Sequence, residues 1–234
     1  MSNMIRRRTL GILGGMGAKA GAAFYDRLVD LTPADRDQDH IRSILYTNPE
    51  IPDRTEGILG GGEDPYPALL SSAKLLEDAG ADLIAIACIS AHYYIPRLRW
   101  ELTCDILSAI EETAGAVRME YPGGSSLGLL ATTGTIRSGM YQDALKNYRV
   151  ITLTEELQET LLMGAIYGDL KAGRIPEGKK KAAEALERIA DMGAETVIIG
   201  CSELPLVIEK SSSDIPLFDS IEILIRKVVS VCSG

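Results

Sequence analysis

Short apolar runs alternate along the chain with segments whose apolar residues recur at helical spacing. The apolar runs predict strands at Leu10–Leu13, Ile41–Tyr46, Leu83–Ala87, Leu127–Leu130, Val150–Leu153, Val197–Ile199 and Pro216–Phe218. The periodic segments predict helices at Ala20–Leu31, Pro65–Asp78, Gln142–Tyr148, Glu155–Tyr167, Lys179–Ala190 and Ile221–Val231. Strands that are apolar throughout are typical of parallel sheets that helices cover on both faces, so the pattern predicts an α/β fold.

Two features of this pattern occur in both halves of the chain. A strand that ends in a small-residue turn, Leu10–Gly17, is repeated at Leu127–Gly134, 117 residues further on. A Gly-Ala-acidic corner followed by an apolar strand leads to Cys88 in the first half and to Cys201 in the second, 113 residues further on. The repeat predicts two similar α/β lobes with parallel sheets, related by a pseudo-twofold axis, with an active site in the cleft between them.

The boundary between the halves is expected at Tyr121–Ser126, because this stretch has the proline, glycine and serine content of a linker. We therefore predict an N-terminal lobe at residues 1–121 and a C-terminal lobe at residues 122–216. The last segment, residues 217–234, is expected to pack back onto the first lobe.

Composition and charge narrow the possible partners. The chain has 234 residues, of which 46 % are apolar, and a net charge of −9. This charge argues against nucleic acid as a partner, and no apolar run is long enough to cross a membrane. The apolar run after Arg6–Arg8 is too short for a secretory signal, so we expect a cytoplasmic protein with free thiols.

The four cysteines are candidates for chemistry. None of Cys88, Cys104, Cys201 and Cys232 has C-x-x-C spacing, which argues against a zinc cluster or a thioredoxin-type redox motif. Cys88 and Cys201 follow the ends of corresponding strands, so a pseudo-twofold axis would present them to one cleft from opposite sides. Opposed thiols suit a reaction that removes a proton from one face of a carbon and delivers one to the other, with one thiolate and one thiol. Cys104 and Cys232 have no counterpart in the repeat and are expected to be packed as small hydrophobes.

Five segments together resemble the aspartate/glutamate racemase family, and its aspartate racemase branch in particular. They are Gly11–Gly17, Asn48–Thr55, Ile58–Pro65, Ala79–Asp82 with the strand leading to Cys88, and Gly200–Pro205. The resemblance implies two α/β lobes, catalytic cysteines that face each other across the cleft, and neither pyridoxal phosphate nor metal, so no cofactor is expected. It implies that Cys88 and Cys201 are the two bases.

The resemblance also implies a set of substrate-binding residues. Arg54 and Lys171 match positions that engage the carboxylates of the substrate, which fits a guanidinium beside a glycine-rich loop. Small hydroxyl residues match positions that bind the α-carboxylate or the amino group. With Met16 and Asn48 from the matching segments, the substrate-binding set is Met16, Asn48, Arg54, Ser90, Thr132, Lys171 and Ser202.

Two positions depart from the family pattern. Ile89 follows the first cysteine where the family usually has Asn, and Ala18-Lys19-Ala20 stands where a Pro usually follows Gly17. Because Ile89 lacks the amide of Asn, the sequence predicts less efficient racemisation of aspartate and a preference for a longer or less polar substrate. The roles of two residues near the cysteines stay open. His92 either points at the first thiol or is a packed residue, and Glu203 either orients the second thiol or caps a helix.

The sequence thus predicts a cofactor-independent racemase that interconverts the L- and D-forms of aspartate or glutamate. Its expected partners are a small anionic amino-acid substrate and a second copy of the chain in a homodimer. Other cysteine-dependent activities of the superfamily stay open, namely those of maleate isomerase, hydantoin racemase and arylmalonate decarboxylase. A catalytically silent binding module that keeps the cleft is the alternative from a different class.

Overall fold

The computed structural model describes residues 7–209 and 213–233. The first half contains β1 (Leu10–Gly14), α1 (Ala18–Leu31), a 3₁₀ turn (Asp37–Asp39), β2 (Ser43–Thr47), α2 (Arg54–Leu59), α3 (Tyr66–Asp78), β3 (Leu83–Ile86), a 3₁₀ helix (Ile89–Tyr94), α4 (Ile95–Glu101), β4 (Asp105–Ile106) and α5 (Ala109–Glu120). The second half contains β5 (Ser126–Ala131), α6 (Thr133–Arg137), α7 (Met140–Ala144), β6 (Arg149–Ile151), α8 (Glu155–Leu157), a π-helix (Gln158–Leu170), α9 (Ile175–Asp191), β7 (Thr196–Gly200), a 3₁₀ turn (Leu204–Leu206), β8 (Leu217–Asp219) and α10 (Ser220–Cys232).

The strands form two parallel sheets of four strands each. Their orders are β2-β1-β3-β4 and β6-β5-β7-β8, so each strand of the first half has a counterpart in the second. Within the first sheet, Ile12 of β1 is paired with Leu45 on one side and with Ala85 on the other. The predicted α/β fold of two similar lobes is confirmed.

The predicted strands agree with the structure, with shifts of at most two residues at their ends. β4 has two residues and no apolar run of its own, and the sequence pattern did not predict it. The helices α2, α4, α5 and α6 were also not predicted. The buried face of α5 shows the reason: Ala109, Thr113 and Ala114 are too small or too polar to give a strong apolar period.

The helix predicted at Glu155–Tyr167 differs most from the observed structure. Only its first turn, α8, is α-helical, and the remainder is a π-helix that continues to Leu170. The wider turn of a π-helix changes which side chains share a face, and such segments are frequent at functional sites. Tyr167 and Lys171 lie at the end of this segment.

Local caps fix where several helices begin and end. The carboxylate of Asp64 accepts a hydrogen bond from the Tyr66 N–H at 3.0 Å, and Pro65 occupies the entrance to α3. Gly80 follows α3 with a φ of 95°, a left-handed conformation that a residue with a Cβ rarely adopts. Asp219 caps α10 by accepting hydrogen bonds from the N–H groups of Ile221 and Glu222.

A central apolar cluster joins the two halves. It contains residues of β1, α1, β3 and α5 from the first half and of β5, α7 and α10 from the second, including Phe24, Val117, Leu129 and Val228. Two further clusters lie within the single lobes. The two lobes therefore share one apolar core.

The last segment of the chain contributes to both lobes. β8 is paired with β7 in the second sheet, whereas α10 packs against α1 and α5 of the first half. Arg27 of α1 donates hydrogen bonds to Asp219 at 2.7 Å and to Glu222 at 3.2 Å.

In the described part of the chain, no helix is both long and apolar enough to cross a membrane.

Candidate active site

The two repeated cysteines meet at a narrow cavity between the lobes, which we call the inner cavity. Cys88 follows β3 and Cys201 follows β7, and both side chains are buried and free of disulfides. The cavity has a volume of about 10 Å³. Its walls are Met16, Arg54, Cys88, Ile89, Ser90, Thr132, Tyr167, Lys171, Cys201, Ser202 and Glu203. All the residues that the sequence assigns to the site are present except Asn48.

Asn48 lies behind the glycine-rich turn and does not line the inner cavity. Its side-chain amide donates to Ser72 Oγ at 2.9 Å and its carbonyl oxygen accepts from the Glu50 N–H. A Cβ at Gly15, where φ is 101°, would lie 2.3 Å from the backbone oxygen of Asn48. In this arrangement Asn48 supports the turn that carries Met16.

The second thiol is held by a carboxylate. Cys201 Sγ donates to Glu203 Oε2 at 3.1 Å, and Ser202 Oγ donates to the same oxygen at 3.1 Å. The other oxygen of Glu203 accepts from the Gly17 N–H of the first lobe at 3.2 Å. Burial, followed by the charge of Glu203, raises the pKa of Cys201 well above its ordinary value, so the arrangement favours a thiol over a thiolate.

The first thiol has a buried arginine beside it. Arg54 is 7 % exposed, and its terminal N–H groups donate to the backbone oxygens of Met16, Ile51 and Pro52 at 3.0 to 3.2 Å. Its Nε has no hydrogen-bond acceptor within the residues that the structure describes. Burial opposes the charge of Arg54, but Cys88 and Asp53 raise its pKa above the ordinary value. The guanidinium therefore ties two loops together and places a positive charge near Cys88.

A tyrosine bridges the lobes at the outer edge of the inner cavity. Tyr167, from the π-helix, donates to Asp53 at 2.9 Å and lies 3.1 Å from Thr55 Oγ1. Lys171 Nζ lies 3.9 Å from the centre of the Tyr167 ring and 4.0 Å from Asp53. Burial raises the pKa of Tyr167 well above its usual range, so its hydroxyl stays protonated and can donate.

Asp53 is ionised at the centre of this bridge. Burial opposes its charge, but the Glu56 N–H, Tyr167 and Lys171 hold the pKa of Asp53 below its ordinary value. The sequence assigned no role to Asp53 or to Tyr167. The helical spacing of Tyr167 and Lys171, four residues apart, was the signal that could have indicated it.

Three hydroxyl groups form a closed hydrogen-bonded ring where the lobes meet. Ser90 Oγ lies 2.9 Å from the hydroxyls of both Thr132 and Thr135, which are 3.1 Å from each other. Ser90 belongs to the first lobe and both threonines to the second. Thr135 was not predicted. Since each hydroxyl can reorient, the ring can offer donors to a carboxylate in the inner cavity.

His92 and Ile89 complete the loop that follows Cys88. His92 Nε2 donates to the Ile86 oxygen and its Nδ1 accepts from the Ala109 N–H, both at 3.1 Å. Burial lowers the pKa of His92 to about 4, so it is a neutral packed residue and does not point at the thiol. Ile89 is 1 % exposed and contributes both to the inner cavity and to the central apolar cluster.

A second space, which we call the outer cavity, adjoins the inner one. It has a volume of about 560 Å³ and shares Met16, Arg54, Tyr167, Lys171 and Glu203 with the inner cavity. Its remaining walls are Gly15, Gly17, Ala18, Lys19, Ala20, Ile51, Asp53, Leu170 and Leu206. Among the described residues, no group of three or more His, Cys, Asp or Glu side chains could hold a metal ion.

Comparison with known proteins relates the chain to one protein family. The sequence profile described as Asp/Glu/Hydantoin racemase matches residues 13–228. The chain belongs to this family. The broad specificity amino-acid racemase RacX of Bacillus subtilis is 27 % identical over 228 residues, which cover 94 % of this chain and 96 % of the relative.

Two solved structures resemble this family member closely. The aspartate racemase of Picrophilus torridus superposes with a TM-score of 0.84 at 28 % identity, covering 95 % of this chain and 94 % of the other. An aspartate racemase homologue from Pyrococcus horikoshii gives a TM-score of 0.75 at 25 % identity, covering 97 % and 100 %. This member of the family is an amino-acid racemase and thus an isomerase.

Proposed function

We propose that this racemase interconverts the enantiomers of an acidic amino acid without a cofactor, with Cys88 and Cys201 as the two bases. The supporting observation is that two thiols from corresponding strand ends line one buried cavity between the lobes. The name of the Picrophilus relative, an aspartate racemase, supports an acidic substrate, and that of the Bacillus relative supports amino-acid racemisation in general.

The surroundings of the two thiols support opposite resting protonation states. Cys201 donates its hydrogen to a carboxylate, so we assign it the role of the acid, and Cys88 lies beside the positive charge of Arg54, so we assign it the role of the base. The Cys88 thiolate takes the α-proton from one face of the substrate carbon. The Cys201 thiol then gives its proton to the opposite face. One proton is taken and one is given, and the reverse direction starts from the exchanged states.

The polar groups of the site support binding of the substrate carboxylates. The hydroxyl ring of Ser90, Thr132 and Thr135 offers donors, and Lys171 supplies a positive charge. The free Nε of Arg54 provides a further donor, for the Cys88 thiolate in the resting enzyme and for a carboxylate when substrate is bound. The inner cavity holds about the volume of one water molecule, so the lobes must separate to admit an amino acid.

The test is to incubate the purified protein with L-aspartate and L-glutamate in D₂O, with no added cofactor. We expect the D-enantiomer to form and deuterium to be incorporated at Cα in both enantiomers. Chiral chromatography with mass spectrometry measures both. A binding module would give neither, and exchange without inversion would contradict the two-base mechanism.

A further inference from the structure

The outer cavity is much larger than the side chain of aspartate requires. Its volume of about 560 Å³ falls within the range of pockets that hold whole small-molecule ligands. It shares five wall residues with the inner cavity, so a substrate whose Cα lies between the cysteines can extend directly into it. Ile89 lines the inner cavity but not the outer one, and it belongs to the packed core.

The walls of the outer cavity combine apolar surface with charges that are mostly paired. Asp53 binds Tyr167 and Lys171, and Glu203 accepts hydrogen bonds from Gly17, Ser202 and Cys201. Arg54 donates to three backbone oxygens.

Lys19 differs from these charged residues. It lies in the first turn of α1, its side chain is exposed, and it forms no ion pair or hydrogen bond within residues 7–209 and 213–233. Apolar side chains that can pack against methylene groups form another part of the wall of the outer cavity. They are Met16, Ile51, Leu170 and Leu206. A cavity with an apolar wall and one unpaired cation matches an apolar stem that ends in an anion.

We propose that the outer cavity binds the substrate side chain and selects amino acids with a methylene stem longer than that of aspartate and a terminal carboxylate near Lys19. L-2-Aminoadipate represents this class. The inference rests on the proposed racemase function, because it takes Cα to lie between Cys88 and Cys201.

The experiment compares kcat/KM for racemisation of L-2-aminoadipate, L-aspartate, L-norleucine and L-lysine. We expect L-2-aminoadipate to be the best of the four. Lys19→Gln should lower the ratio of kcat/KM for L-2-aminoadipate to that for L-norleucine by roughly three- to tenfold, because one partly exposed charged hydrogen bond is lost. Lys19→Arg should restore most of the ratio. Lys180→Gln, which removes an exposed lysine from α9, serves as the matched control and should leave the ratio unchanged.

Equal kcat/KM for L-2-aminoadipate and L-norleucine, or an unchanged ratio in Lys19→Gln, would overturn the assignment of the cavity. A calorimetric titration with L-2-aminoadipate separates this failure from that of the proposed function. Lys19-dependent binding without turnover or Cα exchange would contradict the racemase mechanism and support the cavity assignment. Turnover of L-aspartate without Lys19-dependent binding would support the racemase mechanism and contradict the cavity assignment.

Discussion

The loops that follow β3 and β7 start from equivalent places and then diverge. Each strand is the third in its sheet order and is followed by a buried cysteine. The first loop continues with Ile89 and Ser90 and has the positive charge of Arg54 beside it. The second continues with Ser202 and Glu203 and carries its own negative charge. The two halves place the two thiols at equivalent positions, and the proposed mechanism uses the different loop residues to make one thiol a base and the other an acid.

The two loops are also fixed differently. His92 holds the first loop within its own lobe, through Ile86 and Ala109. Glu203 holds the second loop to the other lobe, through the N–H of Gly17. If the lobes separate to admit substrate, as the proposed function requires, the second loop loses its hydrogen bond to Gly17, whereas the first keeps those to Ile86 and Ala109.

The largest effect is expected when one thiol is removed at a time, which tests whether the two loops have different roles. Cys88→Ala and Cys201→Ala should each lower racemisation by about 10²–10⁴-fold, the usual contribution of a general acid or base. Cys201→Ala keeps the thiolate, so it should still exchange the α-proton of one enantiomer without inverting it. Chiral analysis in D₂O measures both effects.

Cys104→Ala is the control for these variants, because Cys104 lies outside both cavities. Its turnover should stay near that of the wild type. Inversion at the full rate in Cys201→Ala would show that the second loop does not supply the acid.

The charge difference between the loops can be tested with Glu203→Gln. Cys88 and Cys201 are 5 % and 4 % exposed, so their alkylation rates by iodoacetamide report ionisation more than access. In the wild type Cys88 should react first at pH 7.5. Loss of the carboxylate should lower the pKa of Cys201, move its alkylation profile to lower pH and raise its alkylation rate at pH 7.5.

Peptide mass spectrometry across pH 6 to 10 would give the alkylation profile of each cysteine. Glu156→Gln, which removes an exposed carboxylate from α8, should leave both profiles unchanged. Faster alkylation of Cys201 than of Cys88 in the wild type would reverse the assignment of acid and base.

The smallest effect is expected at Ile89, the apolar neighbour of the first thiol. Ile89→Asn should raise kcat/KM for aspartate several-fold, the worth of one hydrogen bond of about 1 kcal/mol. Because the side chain also packs in the central cluster, the same variant should have a lower Tm. Ile89→Val is the control and should not gain aspartate activity. An aspartate rate that is unchanged or lower in Ile89→Asn would show that residue 89 does not face the substrate.

The sequence predicted those parts of the molecule that depend on local pattern and on the internal repeat. The apolar runs predicted the strands. The repeat of a strand that leads to a cysteine predicted two cysteines at one cavity. Contacts between distant loops were not predictable in this way. The hydrogen bonds of Glu203 to Gly17 and of Tyr167 to Asp53 depend on how the lobes meet, which no local period encodes.

The π-helix shows a second limit. Its sequence has the apolar content of an ordinary helix, and the α-helical spacing indicated a helix that ends at Tyr167. The observed segment continues to Leu170. Its wider turns carry Tyr167 to Asp53 and place Lys171 over the aromatic ring. Thr135 was missed for a related reason, because only the meeting of α6 with the first lobe gives its hydroxyl a role.

The terminal helices of the two halves are exchanged. α10, the last helix of the second half, packs against α1, and α5, the last helix of the first half, packs against α7, while α5 and α10 also contact each other. Each half would expose an apolar face if it were alone, since the helix that covers this face belongs to the other half. The continuous chain therefore does not merely connect two self-sufficient units. Residues 121–125, between α5 and β5, therefore join two halves that each depend on the other to bury an apolar face.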